Sequence, residues 1–152
     1  LSNIPDLTLN KVVGLSKQLK NTKGLDYLII DYIGRMTMNY SMNLWDELYE
    51  ITKALKKLAK ELDIPVFVLA QRNHEGEIEG AKKMKNETDG TLMFEPITSS
   101  DHEHIQNHIA YSDQDKVNYR IVKAKVRRDD NPAPIYCIYD KKSNLIREAK
   151  KQ

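Results

Sequence analysis

The chain has 152 residues, 40% of them hydrophobic, which is enough for one buried core. Its 24 basic and 22 acidic residues leave a formal net charge of +2, so composition alone identifies no nucleic-acid partner and any basic surface has to come from local clustering. A single cysteine, Cys137, excludes an internal disulfide and fits a reducing cytoplasm. No apolar run approaches a membrane span, and no charged region followed by an apolar stretch marks a signal peptide. The start at Leu1 rather than Met is what a fragment would show.

In chain order, residues 7–22 predict a helix capped by Thr8, with Val12, Leu15 and Leu19 on one face and Lys23-Gly24 at its end. The unbroken run Leu28-Ile29-Ile30, bounded by Asp31, predicts a strand buried on both faces, as in a parallel sheet. Residues 33–43 are a loop rich in Met, Asn and Ser, and Asn43 caps a helix over 44–62. Leu44, Leu48, Ile51, Leu55, Leu58 and Leu62 form its apolar stripe, with Trp45 as core and cap packing. Asp46, Glu47 and Glu50 come early and Lys56, Lys57 and Lys60 late, the order that suits the helix dipole. Asp63-Ile64-Pro65 stops this helix, and PVFVLAQ is a second buried strand. Strand, helix and strand in succession make a βαβ unit, so the fold class is α/β with a mainly parallel sheet covered by helices. Further on, 72–88 reads as a polar, Lys-rich loop, 91–95 as a third strand and 96–116 as a long surface loop. Residues 117–127 and 134–140 form an antiparallel hairpin about the turn DDNPA, and a last short strand covers 144–148.

Asp31 is the first charge after Tyr27 to Ile30. Ligands of open α/β sheets bind at the carboxyl ends of the strands, where an acid can hold a Mg²⁺–water shell beside a nucleotide. A strand that merely ends in a polar residue looks the same. Gln71 follows the next strand, and an amide there can hydrogen-bond a terminal phosphate or a water. Two parallel strands would thus bring an acid and an amide to one edge. Lys123, Lys125 and Arg127 alternate along the hairpin and are expected on one side of it. They form either a solvated edge that discourages aggregation or a cationic finger reaching a phosphate. His102, Glu103, His104 and His108 have metal-ligand spacing but read as part of a solvated loop.

LDYLIIDYIGRM, NLWDELYEITKALKKLAKELDIPVFVLAQRN, NETDGTLMF and IVKAKVRRD resemble, in order, consecutive motifs of DnaB-like replicative DNA helicases. The resemblance covers roughly residues 4–140 and is strongest over 25–73. It implies that residues 1–152 are the C-terminal portion of a RecA-like motor domain, a partial domain ending in the antiparallel hairpin. Asp31 then matches the Walker B acid acting on Mg²⁺ through water. Gln71 matches the switch glutamine that couples the ATP γ-phosphate to DNA-contacting loops. Lys125 and Arg127 match the Lys-x-Arg pair that reaches a neighbouring subunit's ATP. Glu87 and Asp89 match a Glu-x-Asp of structural or loop-ordering role. Arg72, Lys82, Lys83 and Lys85 are the candidate contacts to DNA, and the three lysines stand where the family has Arg-Glu-Ser-Gly; a solvated Lys run has the same appearance.

The chain departs from the family at Gly34, where Gln is usual, in a shorter loop between Gln71 and Glu87, and at Asp129-Asp130-Asn131-Pro132 in place of Gly-Pro-Thr-Gly. These departures lean toward a phage or mobile-element member working in a host cytoplasm. No G-x-x-x-x-G-K-[ST] occurs; Gly76 to Lys82 is the nearest segment, and Gly80 is followed by Ala81. The family's phosphate loop and glutamate base precede the segment matching residue 1. The expected parent is therefore an ATP- and Mg²⁺-dependent helicase. It would form a homo-oligomeric ring, a hexamer, that translocates on single-stranded DNA, while the 152 residues alone do not hydrolyse ATP. The alternatives are a non-helicase RecA-superfamily ATPase and a non-enzymatic DNA-binding or ring-assembly module.

Overall fold

A computed structural model of the chain describes residues 7–37, 43–71, 84, 86–126 and 133–152, and of Trp45 the backbone alone, so the packing expected of that side chain lies outside the described residues. The chain divides into two compact units, Leu1–Thr88 and Asp89–Gln152. None of the described helices is long and apolar enough to cross a membrane.

The first unit contains α1 (Leu9–Lys23), β1 (Leu28–Ile30), a 3-10 turn (Ile33–Arg35), α2 (Leu44–Leu62) and β2 (Val66–Val68). Thr8 caps α1 by accepting a hydrogen bond from the Lys11 amide at 3.3 Å, and Gly24 ends it at φ 77°, a conformation that favours glycine. The buried stripe of α1 is Leu9, Val12 and Ser16, whereas Leu15 and Leu19 are exposed. The expected face is thus rotated. A polar Ser16 within the buried stripe hides it from any pattern built on hydrophobicity.

Asn43 caps α2 as expected, accepting from the Asp46 amide at 3.0 Å. Leu48, Ile51, Leu55 and Leu58 are buried in one core with Leu9, Val12, Ile30, Ile33 and Met36; Leu62 packs at its margin and Leu44 is exposed. Thr52 is buried among them because its hydroxyl donates to the Leu48 carbonyl at 2.7 Å. The helix ends at Asp63 in the left-handed region (φ 49°, ψ 56°), which Asp tolerates better than most residues, and Pro65 cannot continue it.

β1 and β2 pair in parallel with Leu28 opposite Val66, Ile29 opposite Phe67 and Ile30 opposite Val68. Alternate residues point to opposite faces. Leu28, Ile30 and Val66 meet the helical core, while Ile29 and Phe67 are 56% and 55% exposed on the other face. The expectation of strands buried on both sides is therefore corrected, because the core formed with α1 and α2 takes up only one side of this pair. Residues 72–83 and 85 lie outside the described residues. Met84, Asn86 and Glu87 are helical, so the end of the expected 72–88 loop is a turn of helix.

The second unit is an antiparallel sheet in the order β3 (Gly90–Pro96), β4 (Tyr119–Val126), β5 (Ile135–Asp140) and β6 (Leu145–Glu148). The expected hairpin and last strand are both present; its turn, 127–132, lies outside the described residues. Among the described residues parallel pairing is confined to β1 and β2 and an isolated bridge between Thr8 and Thr37, so the expected mainly parallel sheet is replaced by a mixed α/β arrangement. The β4–β5 and β5–β6 connections are too short for the crossover that parallel strands need.

The expected surface loop 96–116 is instead largely helical, with a 3-10 turn (Ser99–Asp101), α3 (His102–His108) and α4 (Tyr111–Gln114). Asp101, Ile105, Ile109 and Asp113 are its buried residues, one every four positions, and the two carboxylates disguise the stripe. Asp101 accepts from the Thr98 amide (2.7 Å) and hydroxyl (2.9 Å), from Arg120 (2.5 Å) and from the Tyr136 hydroxyl (3.0 Å). Burial opposes its ionisation, but these donors outweigh burial and hold the carboxyl below its ordinary range. Burial, and then the bond to Asp101, pushes Tyr136 up to about 12. Asp113 is gripped by both Arg147 guanidinium nitrogens (2.8 and 2.9 Å) and by the Lys150 amide (3.0 Å), which tie β6 to α4.

Leu55→Ala should cost about 2–5 kcal/mol of stability, because it opens a cavity where α2 meets the sheet; urea denaturation checks this. The Arg147 hydrogen bonds depress the Asp113 carboxyl well below its ordinary value of 3.8, so the folded state binds that proton less tightly than the unfolded chain. The associated stability is present above that value and is lost as pH falls below it. Arg147→Met should flatten the loss of the second unit's melting temperature between about pH 5 and pH 2, followed by tyrosine near-ultraviolet dichroism. An unchanged acid profile would count against the linkage.

Candidate functional site

The carboxyl edge of the parallel pair gathers the residues that carry chemistry in the first unit. The Leu69 amide donates to the Ile30 carbonyl and the Ile33 amide donates to the Leu69 carbonyl, both at 2.9 Å. The ladder therefore runs past the last paired residues, Ile30 and Val68, and fixes both exits side by side. Asp31 is the first residue beyond β1 and Gln71 the third beyond β2, and both side chains are exposed. β2 thus ends earlier than the expected strand through Gln71, yet the two residues still leave the sheet on the same edge.

The turn after Asp31 is shaped by Tyr32 and Gly34. The Asp31–Tyr32 peptide bond is cis. The Tyr32 ring lies so close to Gly34 that a Cβ there would sit 2.9 Å from its Cε2, which accounts for glycine at a position where a longer side chain would displace the ring. The Arg35 guanidinium stands 5.5 Å from the centre of that ring. Arg35 is a cation of this edge that sequence reasoning missed; the signal was its place four residues after Asp31, within a turn that reverses beside the strand end.

Among the described residues this edge holds no protein-built metal cage. It offers an exposed carboxylate, and no group of three metal-ligating side chains occurs among the described residues. The same fact argues against a metal at His102, Glu103, His104 and His108, whose helix instead stacks His104 on His108 at 4.1 Å. Glu87 accepts from the Tyr49 hydroxyl at 3.3 Å, a bond that ties the end of this unit to α2 and fits a structural role.

In the second unit, Lys125 lies on β4 opposite Thr91, and Lys123 opposite Leu92. β4 therefore carries one residue more than β3 between these pairs, a bulge at Ala124. Paired residues share a face and Thr91 and Leu92 point to opposite faces, so Lys123 and Lys125 do not form the one-sided stripe expected from alternation. Arg127, the other member of the expected finger, lies outside the described residues, as do Arg72, Lys82, Lys83 and Lys85.

Residues 1–87, more than half of the chain, match the model of the DnaB-like helicase C-terminal domain. The chain is 38% identical over 74 residues to the replicative DNA helicase DnaB of Leifsonia xyli subsp. xyli, covering 48% of this chain and 16% of that protein. It is 36% identical over 76 residues to a probable plasmid replicative DNA helicase of Chlamydia psittaci, covering 49% and 17%. To DnaB of Rickettsia prowazekii it is 33% identical over 84 residues, covering 55% and 17%. The chain thus spans less than a fifth of the length of each of these relatives. In fold it resembles a solved ATPase domain, with a TM-score of 0.70 at 16% identity, covering 92% of this chain and 51% of that one. It also resembles a DnaB-like replicative helicase solved for its interactions with primase, with a TM-score of 0.64 at 17% identity, covering 89% and 34%. With these solved neighbours the chain shares a RecA-like ATPase fold, and by its match over residues 1–87 it belongs to the DnaB-like helicase C-terminal domain family.

Proposed function

We propose that this chain is the nucleotide-sensing portion of an ATP-dependent replicative DNA helicase motor that moves along single-stranded DNA and separates duplex. The observation that carries the proposal is the placement of Asp31 and Gln71 at one edge of adjacent parallel strands, joined by the continued Ile30–Leu69–Ile33 ladder, in a chain of this family. At that edge the Asp31 carboxylate would hold Mg²⁺ through water beside the nucleotide. The Gln71 amide hydrogen-bonds the terminal phosphate or its attacking water and releases when that phosphate leaves. Bound there, Mg²⁺ would supply neutralisation of the phosphate charge.

Gln71 is followed directly by Arg72 and, further along the same segment, by Lys82, Lys83 and Lys85, cations suited to DNA phosphates that would respond to a change at the amide. Lys125 and Arg127 serve the ATP of a neighbouring subunit, which requires a ring, a hexamer of this motor, and puts each site between two copies. A planar guanidinium there stabilises the charge that builds as the phosphoryl group transfers.

Two outcomes follow. In the assembled helicase, Arg127→Ala should lower ATP turnover by about 10³-fold or more while nucleotide binding persists; turnover near wild type would remove the finger role. The 152 residues alone contain no G-x-x-x-x-G-K-[ST] segment, so phosphate release by this chain should equal that of its Gln71→Ala variant. Strand separation by the assembled protein distinguishes a helicase from a RecA-type ATPase without unwinding activity. Single-stranded DNA binding with no ATP turnover in any assembly would instead indicate a binding module.

A further inference from the structure

The second unit carries a cleft of about 380 Å³ that has no part in the Asp31–Gln71 edge. Three rings stand in series on its wall. Tyr136 lies 5.3 Å from His104 at a tilt of 31°, and His104 stacks on His108 at 4.1 Å and 16°. His108 is the exposed end of this series. Its ring Nδ1 lies 3.1 Å from the His104 carbonyl and its own carbonyl accepts from the Gln152 amide at 3.1 Å, so ring and backbone are both held in place. Lys123 and Lys151 line the same cleft, against Glu148 as the one carboxylate among the described lining residues; Glu148 stands 3.8 Å from the Lys151 ammonium.

A ring series that ends at an exposed face is a platform for one more flat ring. Ammonium groups beside it complement an anion within reach of that ring. A nucleotide unit carries both features, a flat base and an anionic phosphate, while a peptide or an acyl chain would use one of them and waste the other. The choice between a free nucleotide and a strand follows from the rim. Lys151 is 79% exposed, and the described lining residues include no glycine to build a backbone cradle of the kind that grips a terminal phosphate. A solvated cation suits a backbone phosphate that passes by. We propose that this cleft binds one nucleotide unit of single-stranded nucleic acid, with the base stacked on His108 and its phosphate beside Lys151 and Lys123. This site is independent of the roles assigned to Asp31 and Gln71.

Fluorescence anisotropy of a labelled oligothymidylate of roughly twelve nucleotides, titrated with the 152-residue chain between about 50 and 200 mM salt, tests it. His108→Ala should weaken binding about fivefold or more, and His108→Phe, which keeps a flat ring and controls for folding, should restore it. Lys151→Gln should reduce the slope of log affinity against log salt by about 0.7, the loss of one single-strand phosphate contact. Wild-type affinity in His108→Ala, an unchanged slope in Lys151→Gln, or no binding by the wild-type chain would each overturn the site. Displacement by thymidine monophosphate as tight as that by the oligonucleotide would overturn the strand in favour of a free nucleotide. Equal affinity for duplex would exclude base stacking altogether.

Discussion

The first unit depends on the seating of the β1–β2 pair against the apolar stripe of α2. Leu48, Ile51, Leu55 and Leu58 are buried with Ile30 in one cluster, and Leu28 and Val66 pack beside it. Parallel strands need a crossover, and α2 is that crossover. Its length, its cap at Asn43 and its left-handed stop at Asp63 determine where β2 begins, and hence the register of Val68 against Ile30. Asp31 and Gln71 are exposed and add little to the core, but their placement follows from this register. A slip of β2 by one residue would turn Phe67 inward and carry the acid and the amide away from each other.

The second unit is organised on a different principle. Its apolar cluster is small, and two buried carboxylates hold the helical segment to the sheet. Asp101 binds Arg120 of β4 and Tyr136 of β5, and Asp113 binds Arg147 of β6. Arg120 also reaches Glu95 on β3 through two nitrogens, at 3.1 and 2.8 Å, so one guanidinium spans two carboxylates. A buried charge is costly unless it is paired and hydrogen-bonded, and here each carboxylate meets several donors. The same pairing makes this unit sensitive to acid.

The family match ends where the first unit ends, at residue 87 of a unit that closes at Thr88. Asp31 and Gln71 lie before that point, within the matched residues. Lys125 and Arg127 lie beyond it, and their correspondence rests on sequence order. The bulge at Ala124 shows why this matters, since one additional residue reverses the face of every side chain beyond it.

Much of this protein is determined by sequence alone. Helix α2, its caps and its buried stripe follow from the spacing of its leucines and from Asn43 and Pro65, because helical periodicity and end chemistry are local properties. The βαβ order and the placing of an acid and an amide after consecutive strands follow for the same reason. Only tertiary structure decided the rest. The exposure of Ile29 and Phe67 depends on what covers a sheet, which no local run encodes. Burial of Ser16, Asp101 and Asp113 depends on partners far along the chain, Arg120 and Arg147 among them, so polar residues that look solvated in sequence become core. The ring series of Tyr136, His104 and His108 joins a strand to a helix across about thirty residues of chain, and proximity of that kind arises only when the sheet folds.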